Sequence, residues 1–425
     1  MRRRKHRDNR GFPPDETKPD ERRQAMKSEM LRSLVAMLVT QAAVVMAAFT
    51  APVLAKQIAG ALQMPAALIG YYTSIVFAGA MAASLISGPL IQRYGAVRVS
   101  QGTVLLAALG LVSLAAGHPA GVVTSAILAG LAYAPGNPAS SQLLAQTTPP
   151  QHRNAIFSLK QTAVPIGVTI TGFATPFLLQ FLPWQAALLV LAGLCIGVVA
   201  AVEPWRPSLD ARGPTEAVRF SPFAALRLVF AVPVLRRLGI VSLALASVQF
   251  GFSAIFATYL QEAQHISTGS AGLLLSAAMV TSVILRVALG ATADRFGARQ
   301  ILIGMTLIMV VFAALLTFLA APLPAVAITG VVLGAASFSW NGVYLAEVAD
   351  AAPKEFVASA TAGTMFFVFL GGFIGPGLVS TAISLSGAYE AGFAVLSVIA
   401  ALGATALLLP ERSFAAAPRT SSPQG

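Results

Sequence analysis

The chain has 425 residues, of which 56% are hydrophobic and 10% charged, and its mean hydropathy is +0.76. Water-soluble domains carry about 25% charged residues, so this composition excludes an ordinary soluble protein and favours a membrane protein. The net charge of +12 does not predict a nucleic-acid partner, because 11 of the 28 Lys and Arg lie in residues 1–32 and six in 203–237, a distribution typical of the positive-inside bias.

Residues 1–30 are polar, rich in both signs of charge and in proline, and predict a disordered basic cytoplasmic tail attracted to anionic lipid headgroups. The apolar run that follows is too long for a cleavable signal peptide. The single cysteine, Cys195, excludes an intramolecular disulfide. No zinc-type Cys/His cluster and no phosphate-binding Gly-Lys-Ser/Thr loop occurs, so no metal, cofactor or enzymatic activity is expected.

Apolar runs of about 20 residues are long enough for a helix to cross a bilayer. Twelve such runs predict an all-α membrane protein, with spans numbered in chain order: 31–55, 66–91, 99–117, 121–145, 155–180, 184–202, 238–261, 268–291, 299–320, 324–347, 357–384 and 389–409. They form a predicted N-terminal six-helix bundle (31–202) and a C-terminal one (238–410). A cytoplasmic central loop (203–237) joins them, with a short amphipathic helix expected around 221–230, and residues 411–425 form a cytoplasmic tail.

An even number of spans puts both termini on the same side of the membrane. If the basic tail is cytoplasmic, the inner loops hold most of the remaining Lys and Arg, whereas the outer loops hold Lys56 alone. We therefore expect a multi-pass protein of the cytoplasmic membrane with both termini inside.

A charged turn is repeated in the two halves of the chain. Its stronger copy runs from Gly290 to Arg299 between spans 8 and 9, and its weaker copy from Gly88 to Arg98 between spans 2 and 3. A shift of 202 residues superposes the two copies, and a shift of 204 superposes Asn137 on Asn341. The repeat predicts a duplicated architecture of the kind found in transporters that rock one half against the other.

Polar side chains are unevenly distributed among the spans. Spans 3, 6, 9 and 12 are nearly apolar, whereas others contain polar or charged residues in their interiors: Gln41, Asn137, Lys160, Gln249, Arg286 and Asn341. Because an unpaired polar group in hydrocarbon is costly, these side chains should face the bundle interior or a wet cavity. Four lipid-facing helices around eight cavity-lining helices are expected.

With these features, residues 30–410 resemble the major facilitator superfamily. The resemblance implies two six-helix bundles, alternating access and a substrate site between the halves near mid-membrane. It also implies a conformational gating role for the loop residues Gly88, Arg93, Gly95, Gly290, Asp294, Arg295, Gly297 and Arg299. In the family, the loop aspartate is thought to lock the outward-facing state against the start of a helix in the opposite bundle. Only the second copy keeps it, as Asp294, which should meet the start of span 5 near Arg153; the first copy has Gln92.

Arg286 is the strongest candidate for substrate binding. Its position four residues before Gly290 resembles that of an arginine in monocarboxylate and oxalate transporters that is implicated in carboxylate binding, although Ser282 replaces the acidic residue that monocarboxylate transporters carry one turn earlier. A guanidinium fork matches a carboxylate and stays charged when buried. The alternative is a structural arginine that reaches Asp294 or lipid phosphate.

Six further residues belong to the candidate site. Lys160 could meet an anion, but reaching the membrane interface is the favoured interpretation. Asn137 and Asn341 are expected to satisfy backbone groups more often than to bind substrate. Trp340 could form a cavity wall or ordinary packing, and two neutral amides are expected to line the cavity: Gln41 and Gln249.

The sequence favours a monomeric secondary transporter of a small organic solute, with a carboxylate-bearing anion as the first hypothesis. No Asp or Glu lies in the middle of a span, so facilitated diffusion or exchange is as well supported as coupling to a proton. Two alternatives remain open: an exporter of drug-like or siderophore-like compounds, and a non-transporting membrane sensor on the same scaffold.

Overall fold

A computed structural model of the chain describes residues 19–63, 70–211, 223–318 and 322–410, and every regular element in these ranges is helical. The α-helices are α1 Pro19–Val53, α2 Ala55–Ala61, α3 Gly70–Tyr94, α4 Ala96–Ala115, α5 Pro119–Tyr133, α6 Gly136–Thr147, α7 Arg153–Lys160, α8 Ala163–Leu178, α9 Trp184–Val202, α10 Arg206–Asp210, α11 Ala224–Ala231, α12 Pro233–Glu262, α13 Thr268–Phe296, α14 Ala298–Phe318, α15 Leu323–Ser339, α16 Asn341–Ala351, α17 Val357–Ser386 and α18 Tyr389–Leu408. Within the described ranges, eleven segments are long and apolar enough to cross a membrane.

Three of the predicted spans are interrupted. Span 4 is divided into α5 and α6 beside Pro135, span 5 into α7 and α8 after Gln161, and span 10 into α15 and α16 at Trp340. Proline has no N–H to donate, so the carbonyl four residues before it loses its helical partner. Pro165 has this effect on Gln161, whose carbonyl keeps only one backbone partner, the Val164 N–H at a long 3.4 Å. The division of span 5 leaves no helix of crossing length between 153 and 178.

The same helix pairs pack together in both halves. In the first half, α1 packs on α8, α3 on α5, and α4 on α9. In the second half, the equivalent pairs are α12 with α17, α13 with α15, and α14 with α18. The repeat predicted from the sequence is therefore present in the tertiary packing.

The four nearly apolar helices expose apolar side chains, as predicted, but α13, which was expected to line the cavity, does so as well, at Leu273, Val280 and Ile284. The helices α4, α9, α14 and α18 expose large apolar side chains, including Leu109, Ile196, Val311 and Leu402, each more than half exposed. In a membrane protein such side chains face lipid, and exposing an apolar side chain to hydrocarbon carries no desolvation penalty.

One of the predictions for the polar segments needs correction. Residues 1–18 and 411–425 lie outside the described residues, but α1 begins at Pro19, so residues 19–30 are helical where a disordered tail was expected. The central segment contains α10, α11 and the start of α12, with 212–222 undescribed. The predicted short helix around 221–230 corresponds to α11.

The two halves meet unevenly. Contacts between them involve α3 with α17 and α13 with α7, and also the short helices α6 and α16 at the end of the molecule that carries the two repeated loops. We call this end the loop end. In contrast, α5, α8 and α15, the other portions of the divided spans, pack chiefly within their own halves. The halves are thus held together at the loop end.

Candidate functional site

Lys160 is the last residue of α7, and its side chain lies in the interior with 1% of its surface exposed. Its Nζ donates to the side-chain oxygen of Gln41, to Oδ1 of Asn137 at 3.0 Å and to Oε1 of Gln161 at 3.2 Å. Three amide oxygens from α1, α6 and the adjacent residue therefore hold the ammonium group. The expectation that Lys160 reaches the membrane interface is wrong, because these acceptors satisfy it inside.

Asn137 also hydrogen-bonds to side chains, whereas it was expected from the sequence to satisfy backbone groups. Its Oδ1 accepts from Gln41 Nε2 at 3.3 Å as well as from Lys160, and its Nδ2 lies 3.6 Å from Sδ of Met365 in the second half. Asn137 lies in the first turn of α6, where Pro138 is tolerated because the N–H groups of a first turn have no partner inside the helix. Asn137 therefore links the lysine cluster to the opposite bundle.

Arg286 lies in α13 and is 5% exposed. One terminal nitrogen donates to the backbone carbonyl of Gln161 in the first half, and the other donates to the carbonyl of Phe338. Its Nε is buried, and no group in the described residues accepts a hydrogen bond from it. The alternative in which Arg286 reaches Asp294 is wrong in this structure, because its guanidinium spans the gap between the two halves.

Gln161 connects the two cations. Its side-chain oxygen accepts from Lys160, and its main-chain oxygen accepts from Arg286. Among the described residues, the hydrogen-bond acceptors of these two cations are all neutral oxygens of amides or carbonyls. Two buried positive charges thus share one residue, and neither is matched by a carboxylate in this network. Such a network has the electrostatics of an anion site.

A neutral cluster occupies the equivalent place in the second half. Gln249 Oε1 accepts from Trp340 Nε1 at 3.0 Å and from Asn341 Nδ2 at 3.3 Å. Trp340 is fully buried, and its ring meets that of Tyr344 edge to face at 5.1 Å, so it acts as core packing and not as an open wall. Gln249 and Asn341 remain half-buried. The site is therefore asymmetric, with its lysine on one side only.

An aromatic cluster joins the halves beside this site. Phe77 of the first half lies 5.0 Å from the ring of Phe250 and 6.5 Å from that of Phe369, and Tyr133 lies 6.2 Å from Phe369. Tyr133 also lines a small cavity with Gln41. Sequence reasoning missed these residues, because aromatic side chains in apolar helices look like ordinary core.

Asp294 lies against the start of α7, as the repeat predicted. Its Oδ1 accepts from the backbone N–H of Asn154 at 2.9 Å and from that residue's side-chain nitrogen at 3.0 Å, and its Oδ2 accepts from the Ala155 N–H at 3.0 Å. The first N–H groups of a helix have no partner inside the helix and form a positive end. A carboxylate from the second half thus caps a helix of the first half.

Gln92, at the equivalent point of the first copy, makes a different contact. Its Nε2 donates to the Glu355 carbonyl at 2.9 Å and lies 3.4 Å from Ser359 Oγ. The α17 N-terminus is instead capped by Gln142, whose Oε1 accepts from the Ala358 N–H at 2.9 Å. The two copies therefore make opposite hydrogen bonds, one as acceptor and one as donor.

Two loop glycines allow the helices to approach closely. A Cβ on Gly290 would lie 2.5 Å from Ser158, and a Cβ on Gly88 would lie 2.5 Å from Ser359. Gly95 and Gly297 end α3 and α13 with φ of +88° and +92°, a conformation that favours glycine. The remaining residues with an expected gating role are the loop arginines.

The loop arginines have local partners. Arg93 and Arg295 each stack at 5.3 Å over the ring of the following aromatic residue. Arg299 donates to the Leu407 carbonyl at 2.7 Å and 3.0 Å, within its own half. A contact that sequence reasoning missed joins the halves here, since Arg153 pairs with Asp350. Both of those residues are charged and lie at helix ends, which is the only signal that the sequence offered.

Known proteins with related sequences are transporters. The family model of the Major Facilitator Superfamily matches residues 35–376 and, in a second match, 240–424. A Haemophilus influenzae protein named "Putative metabolite transport protein" is 26% identical over 355 residues, which span 78% of this chain and 84% of that protein.

Solved structures share the fold at low sequence identity. The Escherichia coli fucose:proton symporter FucP superposes with a TM-score of 0.70 at 13% identity, covering 92% of this chain and 100% of that one. The human organic anion transporter MFSD10 gives 0.67 at 15% identity, covering 89% and 99%. A bacterial homologue of the iron transporter ferroportin, in an outward-facing state, gives 0.66 at 16% identity, covering 91% and 98%. With the family model matching most of its length, the chain belongs to the major facilitator superfamily and is a membrane transporter, not an enzyme.

Proposed function

We propose that this protein is a secondary transporter that carries a small organic anion, recognised through a carboxylate, by alternating access. The observation that carries the proposal is the pair of buried cations, Lys160 and Arg286, joined through Gln161 and held only by neutral oxygens. A carboxylate is the simplest substrate group that would complement them.

The energetic argument rests on desolvation. Burying a charge without a counter-charge costs several kcal/mol in effective terms, and neutral oxygens recover only part of that cost. A carboxylate placed between the ammonium and the guanidinium would offset both charges. The unused Nε of Arg286 gives the guanidinium a second donor edge for a bidentate contact.

The position of the pair suits alternating access. Lys160 belongs to the first half and Arg286 to the second, so an anion bound to both would tie the halves together. Rocking the halves apart at this level must break the bond between Arg286 and Gln161. The substrate would then compete with a backbone carbonyl for the arginine, which couples binding to the conformational change.

For the topology, we propose twelve crossings, with α7 and α8 together forming the fifth, and both termini in the cytoplasm. The cation-rich loop end then faces the cytoplasm, as the positive-inside bias favours. The cross-half contacts of Asp294, Gln92 and Arg153 would close that side, so the conformation described here would be outward-facing. The membrane would be the cytoplasmic one, and the protein would act as a monomer.

For energy coupling, we favour facilitated diffusion or anion exchange over proton symport. In the described part of the chain, the two cations have no carboxylate among their hydrogen-bond partners that could exchange a proton with them. The names of the similar proteins, a metabolite transport protein and an organic anion transporter among them, agree with a small organic substrate.

The test is transport by purified protein in proteoliposomes. A panel of radiolabelled monocarboxylates and dicarboxylates would be offered with and without a pH gradient, and with and without unlabelled anion inside. We expect uptake of at least one of them, and loss of at least about tenfold in the Arg286→Gln variant. Arg227→Gln, which removes an exposed cation from α11, is the matched control. Failure of the wild type on the whole panel, or full activity of Arg286→Gln, would contradict the proposal.

A further inference from the structure

A cleft of about 430 Å³ lies outside the substrate site, in the first half. Its walls come from α3 and α4, and its floor comes from Leu131 of α5 and from Pro135, which lies between α5 and α6. The lining is almost entirely apolar, with residues such as Ile86, Leu90 and Leu106 on the two walls. The volume falls within the roughly 300–1,000 Å³ of sites that hold small molecules.

The cleft opens toward the bilayer. It lies beside the lipid-facing surface of α4, where Leu105 and Leu109 are exposed. Gly102 lines it, and a Cβ added at that glycine would have no heavy atom within 4 Å. The space is therefore reached from the membrane and could be filled by a larger side chain without a backbone clash.

A cation stands at one end of the cleft. Arg98 lines it near the loop end, with 58% of its side chain exposed and Glu203 at 3.8 Å. That carboxylate is already bound by Arg206 at 2.9 Å and by Gln101 at 2.8 Å. The second nearby carboxylate is Asp210, whose oxygens are taken by the backbone N–H groups of residues 97 and 98. The guanidinium of Arg98 is thus held weakly.

We propose that this cleft binds one anionic phospholipid of the leaflet at the loop end. One acyl chain would lie between α3 and α4, over about 12 Å from Arg98 to Leu106, and the phosphate would bind the Arg98 guanidinium. An acyl chain gains little by leaving bulk lipid for an apolar cleft, so the selectivity comes from the charges.

The floor of the cleft places the lipid next to the transport machinery. Pro135 separates α5 from α6, and Asn137 in the next turn holds Lys160. A lipid in the cleft would therefore lie against the break that positions the lysine cluster. The binding proposal itself depends on neither the substrate nor the direction of transport.

Native mass spectrometry of the purified full-length protein tests the proposal. The protein would be titrated with phosphatidylglycerol or with phosphatidylcholine of the same acyl chains. We expect one tightly retained phosphatidylglycerol per chain, preferred over phosphatidylcholine by roughly fivefold for one surface cation. Arg98→Gln should reduce this preference to near unity, and Gly102→Leu should remove the retained lipid of either kind.

The control is Gly304→Leu. Gly304 is the repeat mate of Gly102 and also has nothing within 4 Å of an added Cβ, but the residue equivalent to Arg98 is Gln300. This variant should retain lipid as the wild type does. Equal retention of the two lipids by the wild type would overturn the proposal. Lipid retention by Gly102→Leu at the wild-type level would also overturn it, as would equal losses of retained lipid in Gly102→Leu and Gly304→Leu. None of these readouts involves transport, so failure here and failure of the anion hypothesis are distinguishable.

Discussion

Arg286 donates a hydrogen bond to the backbone carbonyl of Gln161 across the boundary between the two halves. The carbonyl is available because Pro165, four residues later, has no N–H to offer it. A proline in one bundle thus creates the acceptor that holds an arginine of the other. This relationship makes the helix break in span 5 part of the candidate site.

Replacing Pro165 with alanine should restore a competing N–H for the Gln161 carbonyl. A neutral hydrogen bond is worth about 0.5–1.5 kcal/mol. The Arg286 guanidinium should therefore be displaced from this carbonyl, and KM for the transported anion should rise by roughly twofold to tenfold. Uptake kinetics in proteoliposomes would measure the change. Pro176→Ala, in the same helix but away from Gln161, is the control and should leave KM unchanged. An unchanged KM in Pro165→Ala would contradict the role given to this carbonyl.

Replacing Lys160 with glutamine should lower transport without lowering thermal stability. Transport should fall by at least about tenfold, because the anion loses one of its two cations. The melting temperature should stay the same or rise, because removing an uncompensated buried charge lowers the desolvation cost. Uptake and thermal unfolding in detergent would be compared with Lys354→Gln, an exposed lysine. A lower melting temperature with full transport would make Lys160 a structural residue instead.

The Asp294→Asn substitution should open the loop end. The carboxylate caps the positive end of α7, an interaction worth about 0.3–1 kcal/mol when exposed and up to about 2 when partly buried, so the population should shift by roughly twofold to thirtyfold. Cysteine labelling in a Cys195→Ser background would report it, with Ser359→Cys at the loop end and Phe77→Cys in the aromatic cluster. Labelling should rise at the first position and fall at the second.

The control for this experiment is Glu262→Gln. Its carboxylate accepts from Tyr389 within the second half, far along the chain from the repeated loops. This variant should label as the wild type does. Unchanged accessibility in Asp294→Asn at both reporter positions would show that the carboxylate does not hold the halves together.

A carboxylate at position 92 should weaken the closed state, although it would make the first loop copy resemble the second. Gln92 donates to the Glu355 carbonyl, which a carboxylate would repel, and the nearby Ala358 N–H is already bonded to Gln142. Gln92→Glu should therefore raise labelling of Ser359→Cys, and Gln92→Met, which only removes the donor, should raise it less. Reduced labelling in Gln92→Glu would mean that the two copies act alike.

Much of the fold could be predicted from the sequence because each relevant signal is local. Apolar runs of crossing length identify the helices, and the repeat offsets place Asp294 opposite the start of span 5, where it lies. The apolar character of spans 3, 6, 9 and 12 identifies four outer helices but not the exposed face of α13, which includes Leu273 and Ile284. The division of three spans was not predicted, although Pro135 and Pro165 indicate two of the breaks.

The site was predictable as a set of residues but not as a network. Intramembrane charge singled out Arg286 and Lys160, since such groups are costly and need a reason to be there. Their partners were not predicted: Lys160 does not reach the interface, as had been favoured, and Arg286 does not meet Asp294, which had been the alternative to substrate binding. The acceptors are amides and main-chain carbonyls, which occur throughout the sequence and carry no distinctive pattern.

By itself, the sequence determined that this protein lies in a membrane, that its halves are duplicates, and that two cations lie within its spans, because hydropathy and repeat offsets depend only on residue order. Tertiary structure alone decided that Gln161 joins those cations and that the two loop copies bond in opposite senses. Both depend on which side chains meet across the interface of the halves. That arrangement follows from packing between helices more than 100 residues apart in the chain.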